Sequence, residues 1–119
     1  MVIALSGDLG GGKTTFTKGF AKGLGIRENI LSPTFLILKT YKLRGKYYTL
    51  FTHIDAYRLE KPKEILNLGW RELVKNPKNM IIIEWAKNIE KILPKIFLNI
   101  KFNFVSLNAR ELIFNVREK

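Results

Sequence analysis

Val2-Ile3-Ala4-Leu5-Ser6-Gly7-Asp8-Leu9-Gly10-Gly11-Gly12-Lys13-Thr14-Thr15-Phe16 opens on four apolar residues, passes through a run of glycines and closes on a lysine and two threonines. The short continuous apolar run suits a strand buried on both faces. Residues 7–14 satisfy G-x-x-x-x-G-K-[ST] at every fixed position, between that strand and a helix starting near Lys13. Glycines let successive backbone N–H groups turn inward around phosphate oxygens, where a Cβ would obstruct the approach or forbid the φ angles. Lys13 then offers an ammonium to the β- and γ-phosphates, the Thr14 hydroxyl reaches Mg²⁺, and the helix directs its positive dipole end at the anion.

Outward from this loop the chain alternates helical and extended patterns. Phe16, Phe20 and Leu24 recur four residues apart, and Gly25 sits where a left-handed C-terminal cap belongs. Residues 35–43 and 46–55 are rich in Thr, Tyr, Leu and Ile; with Arg44-Gly45 as a turn, they predict an antiparallel pair. Pro62 opens a short helix carrying Ile65 and Leu66, and Trp70, Leu73 and Val74 form a second stripe that Asn76-Pro77 ends. Met80-Ile81-Ile82-Ile83 is too short for a helix and reads as a central strand. Ile89, Ile92 and Leu93 mark a helical turn before Pro94, and residues 96–105 and 111–116 alternate as an edge hairpin does. The expected fold is therefore α/β, a single P-loop NTPase-like domain over residues 1–119 with a mixed β-sheet flanked by helices.

A chain of 119 residues leaves room for one modest core and not for two domains. It has no cysteine, which removes disulfides, thiolate-ligated metals and a cysteine nucleophile. The net charge of +11 favours an anionic partner such as nucleotide, RNA or an acidic protein surface, although the basic residues are scattered and form no tail. No apolar run approaches the ~20 residues that span a bilayer, so we expect no membrane association and a cytoplasmic protein.

A phosphate loop needs a carboxylate at the end of a neighbouring strand to hold or orient the metal. Asp55 ends Leu50-Phe51-Thr52-His53-Ile54, and Glu84 ends Met80-Ile81-Ile82-Ile83. His53, two residues before Asp55 on the same strand face, reads as a satisfied or surface imidazole, with general base as the alternative.

Together with the loop, Ser32-Pro33-Thr34-Phe35, His53-Ile54-Asp55-Ala56-Tyr57-Arg58-Leu59 and Ile83-Glu84-Trp85 resemble, in order and spacing from residue 2 to Arg110, the TsaE (YjeE) ATPases of bacterial tRNA threonylcarbamoyladenosine biosynthesis. The resemblance implies ATP and Mg²⁺ as cofactors, slow intrinsic hydrolysis, and association with a TsaB–TsaD-like pair that transfers threonylcarbamoyl to tRNA. The tRNA would be reached indirectly or by direct contact, and no DNA is expected. By the same resemblance Thr14 and Glu84 contact magnesium, Asp55 is an acidic residue required for activity, and Thr34 senses the γ-phosphate. Trp85 would pack beside the nucleotide and Arg110 would lie near the ATP, with Arg58 an equal candidate for neutralising phosphate charge. Asp8, Gly10, Gly11, Gly12, Lys13, Thr14 and Thr15 complete the nucleotide-binding set. Three departures stand out: Met1 lies almost at the first strand, so the strand and helix that precede it in the family are expected to be absent; Gly11 replaces the usual Ala; and Lys87 stands where an acidic residue is common.

Phosphoryl transfer to water depends on positioning and charge stabilisation, supplied here by the loop, Lys13, Thr14 and Glu84, with Asp55 or Thr34 orienting the water. Two other readings compete with an ATPase: a small-molecule or nucleotide kinase, for which 119 residues and six arginines leave little room for a lid and acceptor pocket, and a nucleotide-dependent docking module.

Overall fold

The computed structural model describes residues 1–7, 12–28, 30, 38–59 and 61–118. Its strands are β1 (Val2–Gly7), β2 (Leu38–Lys42), β3 (Leu50–Asp55), β4 (Asn79–Glu84), β5 (Ile96–Ser106) and β6 (Ala109–Glu118). Helices α1 (Lys13–Gly23), α2 (Pro62–Leu66) and α3 (Trp70–Lys75) and a 3₁₀ helix (Ala86–Ile92) connect them. The six strands form one sheet in the order β2-β3-β4-β1-β5-β6. β1 runs parallel to β4 and β5, and β3 parallel to β4, whereas β2–β3 and β5–β6 are antiparallel, so the sheet is mixed as expected.

β1 and β4 are central because both sides of each carry apolar residues. Ile3, Leu5, Phe51, Met80, Ile82, Ile100 and Phe102 pack on the α1 side. Val2, Ala4, Ile54, Ile81 and Ile83 pack on the other side against Ile65, Trp70 and Ile89 from the three remaining helices and against Leu93 just beyond the last. With a side-chain period of two, the even-numbered residues Met80 and Ile82 lead to Glu84, which therefore emerges on the α1 face. A buried polar relay ties the sheet to α3: the hydroxyls of Thr40 and Thr52 lie 3.0 Å apart, Thr52 Oγ1 donates to Asn79 Oδ1 at 3.0 Å, and Asn79 Nδ2 donates to the Leu73 carbonyl at 3.2 Å.

α1 differs in one respect from the apolar stripe read in its sequence. Its buried face is centred on Lys13, Thr17 and Ala21, and Phe16, Phe20 and Leu24 are only partly buried along its flank. Small residues at the centre let the helix approach the sheet closely, and the aromatic rings fill the margin: Phe16 lies 5.5 Å from Phe102 and Phe20 lies 6.2 Å from Phe51 between centroids. Gly25 takes the expected left-handed conformation, with φ +91°.

The β2–β3 connection corrects the predicted hairpin. No two-residue turn forms at Arg44-Gly45; the loop runs from residue 43 to 49, closed by Leu43 N–H donating to the Thr49 carbonyl at 2.8 Å, and β3 starts at Leu50 rather than at Lys46. Gly45 folds against the Tyr48 carbonyl, where a Cβ would stand 2.4 Å from the oxygen. The predicted strand residues 35–37 lie outside the described residues. Among the described residues no helix is long and apolar enough to cross a membrane.

Candidate functional site

The C-terminal ends of β1, β3 and β4 converge on the N-terminus of α1, the position at which parallel α/β sheets hold ligands. Gly12 precedes the helix with φ +99°, a conformation that suits glycine, and its carbonyl accepts the first helical hydrogen bond from Phe16 N–H at 2.8 Å. The amides of the first turn have no partner within the helix and, with the macrodipole, make this end electropositive.

Lys13 is buried at this end. Its Nζ donates to the Gly7 carbonyl at 2.9 Å and stands 4.3 Å from the centroid of the Trp85 ring. Trp85 reaches it because the chain leaves β4 through a left-handed turn, with φ +59° at Trp85 itself, and its ring is braced by Tyr57 at 4.9 Å. Thr14 follows Lys13 and donates from Oγ1 to Glu84 Oε1 at 3.0 Å, joining the helix to the end of β4. Glu84 is itself buried, and its other carboxylate oxygen lies 2.6 Å from His53 Nε2.

Asp55 ends β3 in direct register with Glu84, and its Oδ1 accepts the Tyr57 N–H at 3.0 Å, starting the turn that exposes Tyr57 and Arg58. Arg110 comes from the first residues of β6. Its Nη1 donates to the carbonyls of Ser106 and Ala109, and its guanidinium lies 4.5 Å from the Phe104 ring. An open cleft of about 410 Å³ is lined by Arg110 and Asn108 together with Gly12, Thr15 and Phe16.

The structure thus brings Gly12, Lys13, Thr14, Glu84 and Trp85 into one cluster, sets Asp55 beside Glu84, and places Thr15 and Arg110 in the lining of an adjoining cleft. Asp8, Gly10, Gly11 and Thr34 lie outside the described residues. The His53–Glu84 contact is the feature that sequence reasoning missed. Its only signal was the period-two placement of His53 and Asp55 on one face, and the partner depends on the register between β3 and β4. A second cavity of about 520 Å³ lies beyond the C-terminal end of α1, between residues 24–28 and 41–45, remote from the cluster.

The donor set fits a triphosphate with magnesium. A hydroxyl and a carboxylate are hard oxygen donors, and a Mg²⁺ ion held by so few protein groups takes its remaining ligands from water and phosphate. Among the described residues no group of three or more His, Asp or Glu side chains forms a protein-only metal cage.

The model of one protein family, described as threonylcarbamoyl adenosine biosynthesis protein TsaE, matches residues 1–112. Relatives named tRNA threonylcarbamoyladenosine biosynthesis protein TsaE include one from Bacillus subtilis, 43% identical over 113 residues that make up 95% of this chain and 68% of the relative. The Haemophilus influenzae protein of that name is 38% identical over 86% of this chain and 63% of its own length. The Rickettsia felis protein is 38% identical over 92% of this chain and 61% of its own. A crystal structure of Bacillus subtilis YdiB superposes with a TM-score of 0.76 at 36% identity, covering 99% of this chain and 68% of that one. The chain therefore spans 61–68% of the length of these three curated relatives.

Proposed function

The chain belongs to the TsaE family, and from that membership we propose that it is a Mg²⁺-dependent ATPase acting in threonylcarbamoyladenosine formation on tRNA, its nucleotide state regulating a TsaB–TsaD-like complex. The observation that carries this reading is the 3.0 Å contact between Thr14 Oγ1 and Glu84 Oε1, which joins the phosphate-loop helix to the acidic end of the central strand.

Each residue has a role in this proposal. The loop amides and Lys13 hold the β- and γ-phosphates; Lys13 leaves the Gly7 carbonyl to do so and remains beside Trp85, whose ring reports the change. Thr14 and Glu84 hold the metal, which when bound supplies charge stabilisation on the phosphoryl oxygens. Asp55 orients water at the end of β3, Thr34 being the alternative in our reading of the sequence. Arg110 and Thr15 line the cleft beside the helix N-terminus, a setting suited to the outer part of the nucleotide. Among the described residues no strong general base lies at the site, which favours slow turnover alone and a partner that uses the bound state as a signal. The net charge of +11 fits association with an anionic partner, and work on tRNA implies a cytoplasmic setting.

The test is ATP hydrolysis with and without the TsaB–TsaD-like pair, beside a Lys13→Ala control. The proposal expects slow turnover alone, faster turnover with the pair, and none with Lys13→Ala. Phosphate transfer to a nucleoside or sugar indicates a kinase instead, and nucleotide binding without turnover under either condition indicates a docking module.

A further inference from the structure

Glu84 carries the carboxylate on which the proposed metal site depends, yet a glutamate has three rotatable side-chain bonds and, left alone, no fixed direction. In this structure both of its oxygens are committed. Oε1 accepts from Thr14, and Oε2 lies 2.6 Å from His53 Nε2, with the two side chains 2% and 3% exposed. His53 can reach it because β3 and β4 run parallel in a register that pairs His53 with Ile82 and Asp55 with Glu84, so the imidazole lies diagonally across from the carboxylate on the α1 face.

We infer that His53 is a positioning residue for the metal site: by engaging Oε2 it fixes the Glu84 carboxylate so that Oε1 alone faces Thr14 and the metal position. The inference rests on the phosphate-loop reading above and adds to it a residue that touches neither phosphate nor metal. The physical reason is pre-organisation. A carboxylate already held by a buried partner does not have to be ordered when the ion arrives, and partners of this outer kind are worth about 10–100-fold in metal affinity. The contact needs only a donor at the Nε2 position, so an amide at the same reach should serve.

The experiment measures binding of adenylyl imidodiphosphate by calorimetry, in excess Mg²⁺ and in EDTA, for wild type, His53→Gln and His53→Asn. Glutamine carries its amide to about the Nε2 position, whereas asparagine stops roughly one bond short while remaining polar. The expected result is a magnesium-dependent gain in affinity that His53→Gln keeps to within about threefold and His53→Asn reduces about tenfold or more, with EDTA affinities equal in all three. An undiminished gain in His53→Asn overturns the inference, as does an equal loss of affinity in EDTA, which is what a merely structural histidine produces. Should the asparagine variant not fold, the glutamine variant decides alone, and loss of its magnesium gain overturns the inference. Wild-type protein that binds nucleotide with no magnesium gain also overturns it while leaving the phosphate loop standing. Wild-type protein that binds no nucleotide in either buffer overturns the phosphate-loop reading and this inference with it.

Discussion

Replacing Gly7 by alanine puts a single methyl group where the fold has no room for it. Gly7 ends β1 with φ +116° and pairs with Phe102 of β5, and a Cβ built on it stands 2.1 Å from the Phe102 carbonyl oxygen, 2.8 Å from its nitrogen and 2.9 Å from its carbonyl carbon. All three atoms are backbone, so no rotamer relieves the collision and the two strands must separate. A non-glycine residue at positive φ costs about 1–2 kcal/mol. Displacing packed elements adds about 1–3 kcal/mol, and losing a ladder hydrogen bond adds about 1 kcal/mol. We expect a loss of about 3–6 kcal/mol, a large fraction of a small domain's stability. Nucleotide affinity should fall as well, because Gly7 is the first residue of the phosphate-loop motif and a displaced end of β1 shifts it relative to Lys13. Gly19→Ala is the internal control: the same methyl group, in the interior of α1, meets nothing within 4 Å and should stabilise by about 0.5–1 kcal/mol. Urea denaturation followed by tryptophan fluorescence reads both variants. A Gly7→Ala protein within about 0.5 kcal/mol of wild type would refute the close β1–β5 approach at Gly7 and Phe102.

Asn79→Ala, which removes the acceptor of the Thr52 hydroxyl and the donor to the Leu73 carbonyl while leaving Thr52 its contact with Thr40, should cost about 2 kcal/mol in thermal denaturation and leave nucleotide affinity unchanged well below the transition. Glu84→Gln should lower ATP turnover about 100-fold or more in steady-state assays while nucleotide affinity in EDTA stays within about threefold, since the carboxylate acts through the metal and on developing charge. Equal losses in both would contradict the role given to it. Arg110→Ala should weaken binding of an ATP analogue about tenfold by calorimetry, or about 1.4 kcal/mol. An unchanged affinity would remove the cleft beside Thr15 from the nucleotide site.

The parts of this molecule that were legible in its sequence are those where backbone geometry restricts residue choice locally. Gly12 and Gly25 both adopt the positive φ that their positions called for, and Asn76-Pro77 ends α3 where the chain cannot continue a helix. β4 was legible because four consecutive apolar residues can only be buried from both sides, and its last residue, Glu84, then had to emerge at the rim. What the sequence hid was set by contacts between distant segments. The hydrogen bond from His53 to Glu84 depends on strand register across a 31-residue separation. The approach of Arg110 to Thr15 depends on how β6 folds back along β5, and the Trp85 ring reaches Lys13 only because residue 85 turns left-handed. The β2–β3 loop outgrew its predicted two-residue turn because Gly45 packs on a carbonyl three residues ahead, a contact with no counterpart in composition.

The most direct test of the account is a crystal structure of this chain with adenylyl imidodiphosphate and Mg²⁺. The account predicts the triphosphate at the N-terminus of α1, with Lys13 Nζ moved from the Gly7 carbonyl to a phosphate oxygen and Thr14 and Glu84 beside the ion. A nucleotide found instead in the cavity between residues 24–28 and 41–45, with Lys13 still bonded to Gly7, would contradict it.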